Sequence, residues 1–143
     1  MNREDINFIL QKTDLKELKS LYEKINEFHE IKILQKPTQQ TLLQPVIDPI
    51  SSGEFYAGEV LVTTTIVQVG TDSANKGWAM VQDDNEEISL YISACDGAYG
   101  ADFFKSEIEN LVTKTIQNIE KTQKELNKKI NSTKVSFDLM TQG

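Results

Sequence analysis

Near the N-terminus apolar residues recur at spacings of three and four, so that Leu15, Leu18, Leu21, Tyr22, Ile25 and Phe28 share one face of a helix over Asp14 to Phe28. Thr13 or Asp14 is placed to cap it, and Glu17 follows Asp14 at the capping-box spacing. Ahead of it, Ile6, Phe8, Ile9 and Leu10 predict a short helix broken near Lys12. The period then changes. Ile31 and Ile33 alternate with polar neighbours in HEIKILQ, which Pro37 should end, and Gln40 to Ile47 forms a second candidate strand, irregular at Pro45. The loop Ser51 to Gly53 leads into EFYAGEVLVTTTIVQVG, whose β-branched residues give the strongest strand signal in the chain. GTDSANK reads as a hairpin loop and GWAMVQ as the returning strand, together an antiparallel meander.

After Val81 the helical period returns. Asp83 or Asp84 is placed as an N-cap, and Glu86 and Glu87 fall in a first turn where the helix dipole favours negative charge. Ile88, Tyr91, Ile92, Cys95 and Tyr99 make the inward face. GAYGAD should break this helix, and Phe103 to about Lys129 supplies a long amphipathic one. In the closing STKVSFDLMTQG, Val135, Phe137 and Leu139 alternate with polar residues, which predicts a C-terminal strand from Thr133. The expectation is an α+β fold: N-terminal helices, an antiparallel β-sheet meander, two further helices and a C-terminal strand.

A chain of 143 residues suits one domain spanning residues 1–143. Its net charge of −7 argues against nucleic acid or an anionic membrane as the main partner, since both recruit clustered Lys and Arg. No apolar run approaches the roughly 20 residues of a membrane span, and MNREDINFIL is too acidic for a signal peptide, so a cytoplasmic location is expected. The single cysteine, Cys95, reads as a buried helix residue, and no Cys/His spacing points to zinc.

Candidate chemistry is sparse. His29 lies at a helix-strand boundary with no nucleophile beside it in sequence. GTDSANKG lacks the spacing of a phosphate-binding loop, and the acidic run at Asp83 to Glu87 lacks the alternating oxygen donors of a calcium loop. Trp78 and Tyr91 are accounted for as a half-buried strand residue and a helix-face residue. These readings leave no catalytic residue, no metal ligand and no cofactor to name.

A set of spaced motifs changes the picture. Pro37 with Thr41 and Leu42 is followed by Gly53, Phe55, Gly58 and Glu59 and then by Val62-Thr63-Thr64-Thr65. Gly77, Trp78, Val81 and Gln82 come next, then Asp96, and the chain closes on Thr133-Lys134-Val135-Ser136-Phe137-Asp138-Leu139-Met140-Thr141-Gln142-Gly143. In order and spacing this resembles the PhnG family, a subunit of the carbon–phosphorus lyase core complex. The family's arginines are replaced by Thr64, Asp84 and Gln142, whereas Lys134 keeps a positive charge. Thr, Asp and Gln cannot reproduce arginine's bidentate contacts with phosphate or carboxylate.

The resemblance implies a non-catalytic structural subunit that works with PhnI-, PhnH- and PhnJ-like partners. Their joint task is to form α-D-ribose 1-methylphosphonate 5-triphosphate from ATP and a phosphonate. The nucleosidase chemistry is attributed to PhnI, and the later cleavage of the carbon–phosphorus bond to the radical iron–sulfur subunit PhnJ. It singles out Glu59, Gly77, Asp96, Lys134, Phe137 and Met140 as motif or interface positions. By itself the chain is expected to be a homo-oligomer. The lost arginines motivate an alternative, a diverged stand-alone homodimer with a small-molecule-binding or other interaction role.

Overall fold

The two N-terminal helices form where their apolar spacing predicts them. In the computed structural model, which describes the backbone of residues 2–47 and 54–142 and the side chains of residues 2–42 and 59–131, α1 spans Arg3–Leu10 and α2 Leu15–Phe28. Asp14 caps α2, its side chain accepting the Lys16 N–H at 3.1 Å. Glu17 pairs with Lys114 instead of completing a capping box. Ile6, Leu10, Leu18 and Ile25 are fully buried, each worth about 1.5–3 kcal/mol of apolar burial.

Three antiparallel strands follow in the order β1 (Ile31–Ile47), β2 (Glu54–Val69), β3 (Lys76–Gln82). The meander is the expected one, but β1 is a single strand where two short ones were predicted. Pro37 lies where the β1–β2 register shifts between Gln35 and Thr38. A proline on the outer strand of a sheet, at an irregularity, removes no ladder bond that the sheet needs, so pairing resumes beyond it.

The helix α3 (Glu86–Gly100) lies across β2 and β3, with α1 and α2 against it. Val67, Val69, Ala79, Val81, Ile92, Cys95 and Ala98 close the core between them. Asn85, rather than Asp83 or Asp84, caps α3, its side chain accepting the Ile88 N–H at 3.4 Å. The cause is Thr63 on β2. Its hydroxyl donates to the Asp83 carbonyl at 2.7 Å and accepts the Asn85 N–H at 3.1 Å, which sets the turn so that residue 85 reaches the cap. The helix runs through GAYG before it stops, and α4 begins at Lys105.

The C-terminal strand is the expectation the structure overturns. α4 extends from Lys105 to Gln142, so Val135 to Leu139 continue a helix and no fourth strand joins the sheet among the described residues. Between Lys105 and Gln142 there is neither glycine nor proline. Once a helix is nucleated, each further residue adds a hydrogen bond at small cost. A three-residue alternation without a breaker ahead of it does not outweigh that.

Candidate functional site

Two of the positions singled out from sequence, Gly77 and Asp96, meet where β3 crosses α3. A Cβ built on Gly77 would fall 2.5 Å from the backbone nitrogen of Gly97 and closer still to the carbonyl oxygen of Ser93. One on Gly97 would meet a Val69 methyl at 2.8 Å and the Gly77 nitrogen at 3.1 Å. The strand therefore rests directly on the helix backbone, with a glycine on each side. That approach brings Asp96 beside the strand edge, where its Oδ2 accepts the Trp78 N–H at 2.9 Å. Arg3 from α1 donates to the same carboxylate through Nε at 2.8 Å and Nη2 at 3.4 Å, and also to the Lys76 carbonyl.

The contact continues along β3. Asn7 brackets Met80, its Oδ1 accepting the Met80 N–H at 2.8 Å and its Nδ2 donating to the Met80 carbonyl at 3.1 Å. Gln11 donates to that carbonyl at 3.1 Å and accepts the Gln82 N–H at 3.2 Å. Arg3, Asn7 and Gln11 lie four residues apart, on one face of α1 and its C-cap. They do for β3 what a fourth strand would do, supplying partners to backbone groups that an edge strand otherwise presents to other chains. Sequence reasoning missed all three. The signal was the polar residues set at fourfold spacing beside Ile6 and Leu10 in a helix too short to need a polar inner face.

Chemically the seam is occupied by its own bonds. Every buried side-chain nitrogen or oxygen among the described residues has a partner. Burial, reinforced by the charge of Asp96, pushes the Cys95 thiol up to about 12, so it stays protonated at neutral pH. Burial pushes the Tyr91 hydroxyl up to about 12, with the hydrogen bond it donates to Glu87 at 2.7 Å adding to the shift. Beside the seam a hollow of about 530 Å³ is lined by Arg3, Glu4, Asn7, Phe8, Trp78 and Asp96. The similar groove between α2 and α4 is crossed by the ion pairs Lys24–Glu107 at 2.6 Å and Lys114–Glu17, with Lys16 also in its lining. Among the described residues no group of three His, Cys, Asp or Glu side chains is gathered as a metal would need. No described helix is long and apolar enough to cross a membrane.

The remaining positions lie elsewhere. Glu59 is exposed on β2, opposite Leu43 and well away from Gly77 and Asp96 along the ladder. Lys134, Phe137 and Met140 fall in the last turns of α4, and their side chains lie outside the described residues. Of the arginine replacements, Thr64 is buried and accepts a hydrogen bond from Gln35 Nε2 at 3.0 Å. His29 ends α2 and stacks on Phe103 with ring centroids 3.7 Å apart.

Two elements outrun the core and carry exposed apolar residues; Phe8 on α1 and Phe28 at the end of α2 are exposed as well. β3 pairs with β2 only as far as Val62, so the β1–β2 hairpin continues beyond it as a two-stranded arm carrying the exposed Leu42 and Leu61. α4 likewise continues past its last buried described side chain, Thr115, with Ile116, Ile119, Leu126 and Ile130 exposed. A search of curated protein sequences finds no match to the chain. The family model described as phosphonate metabolism protein PhnG matches residues 1–143. The chain thus belongs to the PhnG family and with it to phosphonate metabolism.

Proposed function

We propose that this protein is a structural, non-catalytic subunit of a carbon–phosphorus lyase complex. In that role it supports formation of α-D-ribose 1-methylphosphonate 5-triphosphate from ATP and a phosphonate, in the cytoplasm, alongside PhnI-, PhnH- and PhnJ-like subunits. The observation that carries the proposal is the division of labour in the fold. The polar groups of the β3 seam are consumed in internal hydrogen bonds, while the β1–β2 arm projects with apolar residues uncovered. A two-stranded arm is marginal by itself in water, and Leu42 and Leu61, which the register sets on opposite faces of the ribbon, leave an apolar side chain on each face for a partner to cover. The net charge of −7 supports the same reading, because it makes the chain a poor sole host for a triphosphate and a phosphonate.

The test is co-purification from the native host grown on methylphosphonate as its phosphorus source. The tagged chain should retain a PhnI-like subunit, and Leu42→Asp with Leu61→Asp should release it while the isolated chain keeps its helical circular dichroism. A tagged chain that never retains such a subunit refutes the proposal.

A further inference from the structure

β3 ends at Gln82, opposite Val62, while β2 reaches out to Glu54. The Leu61 carbonyl accepts the Asp83 N–H at 2.8 Å, and there the chain turns off toward α3. Backbone groups alternate in direction along a strand, so those of Glu59, like the Leu61 carbonyl, point to the side on which β3 has ended and away from β1. From Leu61 to Glu54 no described strand lies on that side, which leaves roughly 23 Å of open edge. The other edge of the arm is made differently. β1 carries Pro37 and Pro45 at its register shifts, and proline offers no N–H to an added strand.

The geometry points to an extended segment of another protein as the occupant of this edge, hydrogen-bonded along β2 so that it prolongs the row that β3 begins. The inference names the kind of segment that the arm takes, and it rests on the partner-subunit reading.

The two faces of an added strand would meet unlike surroundings. Glu59 and Leu61 alternate in step with Thr63, whose hydroxyl holds the turn into α3, so they belong to the α3 face of the sheet. Glu59 is exposed there, and Asp83, Asp84 and Glu86 are exposed where β3 gives way to α3. No described Lys or Arg pairs with any of these four carboxylates. Val60 and Val62 lie on the opposite face, beside a hollow of about 380 Å³ whose lining also includes Phe8, Met80 and Lys12. Every second side chain of the added strand is thus set toward carboxylates, and those between toward a mainly apolar hollow. The segment that fits alternates Lys or Arg with apolar residues. The same edge of a second copy does not fit, since residues 54–61 contain Glu54 and Glu59 and no Lys or Arg.

The experiment co-expresses the tagged full chain with the PhnI-, PhnH- and PhnJ-like subunits of its host. Glu59→Pro deletes an N–H that the β1–β2 ladder does not use, so it should keep the helical circular dichroism yet cut retention of the subunits at least about tenfold. Glu59→Ala keeps the N–H and should weaken retention only about two- to fivefold. Asp84→Lys with Glu86→Lys leaves β2 untouched and should weaken it about three- to tenfold. In the assembled wild-type complex the Glu59 amide should exchange with deuterium at least about tenfold more slowly than in the isolated chain. A folded Glu59→Pro chain that retains the subunits like the wild type, or a Glu59 amide equally fast in both states, would overturn this inference and leave the partner-subunit reading standing. A wild-type chain that retains none of the subunits overturns both. Protection of the same amide in the isolated chain, growing with concentration, would put a second copy on the edge and overturn the inference alone.

Discussion

Replacing Gly77 by alanine tests the contact on which the β3 seam depends. In an ordinary strand the change is mildly favourable, by roughly 0.5–1 kcal/mol, because glycine loses the most backbone entropy on folding. Here the new methyl would stand 2.5 Å from the Gly97 nitrogen and 2.8 Å from its Cα, and nearer still to the Ser93 carbonyl oxygen. All three are backbone atoms in the middle of α3, so no side chain can rotate away. Relief requires lifting β3 off the helix, which also pulls the Trp78 N–H from Asp96. Overpacking of this kind costs about 1–3 kcal/mol, and loss of that hydrogen bond adds about 1 kcal/mol. A net loss of about 2–3 kcal/mol is expected, lowering Tm by roughly 5–10 °C for a chain of this size. Gly97→Ala is the control. It meets mainly a Val69 methyl at 2.8 Å, and the gain of roughly 1 kcal/mol in helix propensity offsets much of that clash. Urea unfolding of the two variants reads the difference directly. If Gly77→Ala matched the wild type within about 0.5 kcal/mol, or Gly97→Ala were the worse of the two, the close-approach argument would be wrong.

Three further outcomes are expected. Asp96→Ala should cost about 1–3 kcal/mol by orphaning the Trp78 N–H. Arg3→Ala, whose side chain is 45% exposed, should cost only about 0.5–1 kcal/mol in the same urea titration; the reverse order would disprove the assignment of Asp96 as the central acceptor. Asn7→Ala should destabilise by about 1–2 kcal/mol through two lost bonds to Met80, whereas Asn7→Asp keeps the acceptor for the Met80 N–H but sets a carboxylate against the Met80 carbonyl and should not recover full stability. Stability should fall as pH rises above 9, because Cys95 goes from 9.0 up to about 12 and Tyr91 from 10.0 up to about 12 in the folded state. The unfolded chain then releases these protons first, so it is the folded form that loses ground, by at most about 1.4 kcal/mol per pH unit for each group. Cys95→Ala should flatten the part of that decline nearest pH 9, and a profile unchanged from pH 8 to 11 would contradict both shifts.

Much of the scaffold could be read from periodicity. α2 has six apolar residues at helical spacing, and β2 has a run of β-branched residues too long for any competing reading, so both form as expected. The spaced motifs located Gly77 and Asp96, and the fold brings those two together. What they do there was not legible. Gly77 matters through a distance to a helix that begins after it in sequence, and Asp96 through the edge of a strand eighteen residues upstream. Arg3, Asn7 and Gln11 showed in the sequence only as polar residues four apart; each bonds to backbone about seventy residues away, and no local pattern encodes that partner. The α3 cap was misplaced for the same reason, since Thr63 from β2 decides it.

The ending of the chain shows how two true signals compete. Val135, Phe137 and Leu139 alternate as a strand would, over only five residues. Ile116, Ile119, Leu126, Ile130, Phe137 and Met140 fall on a heptad frame over twenty-five, and Phe137 belongs to both patterns. The longer pattern prevails when nothing interrupts it, because helix propagation is cooperative and a strand needs a neighbour to accept its hydrogen bonds. At the far side of the sheet β3 has no edge to offer, since Arg3, Asn7, Gln11 and Asp96 already hold its backbone groups. Beside the core, a C-terminal strand would have had to displace α1 or pair along β1, past the register shifts around Pro37 and Pro45. The same side chains that close β3 therefore leave the last segment to α4.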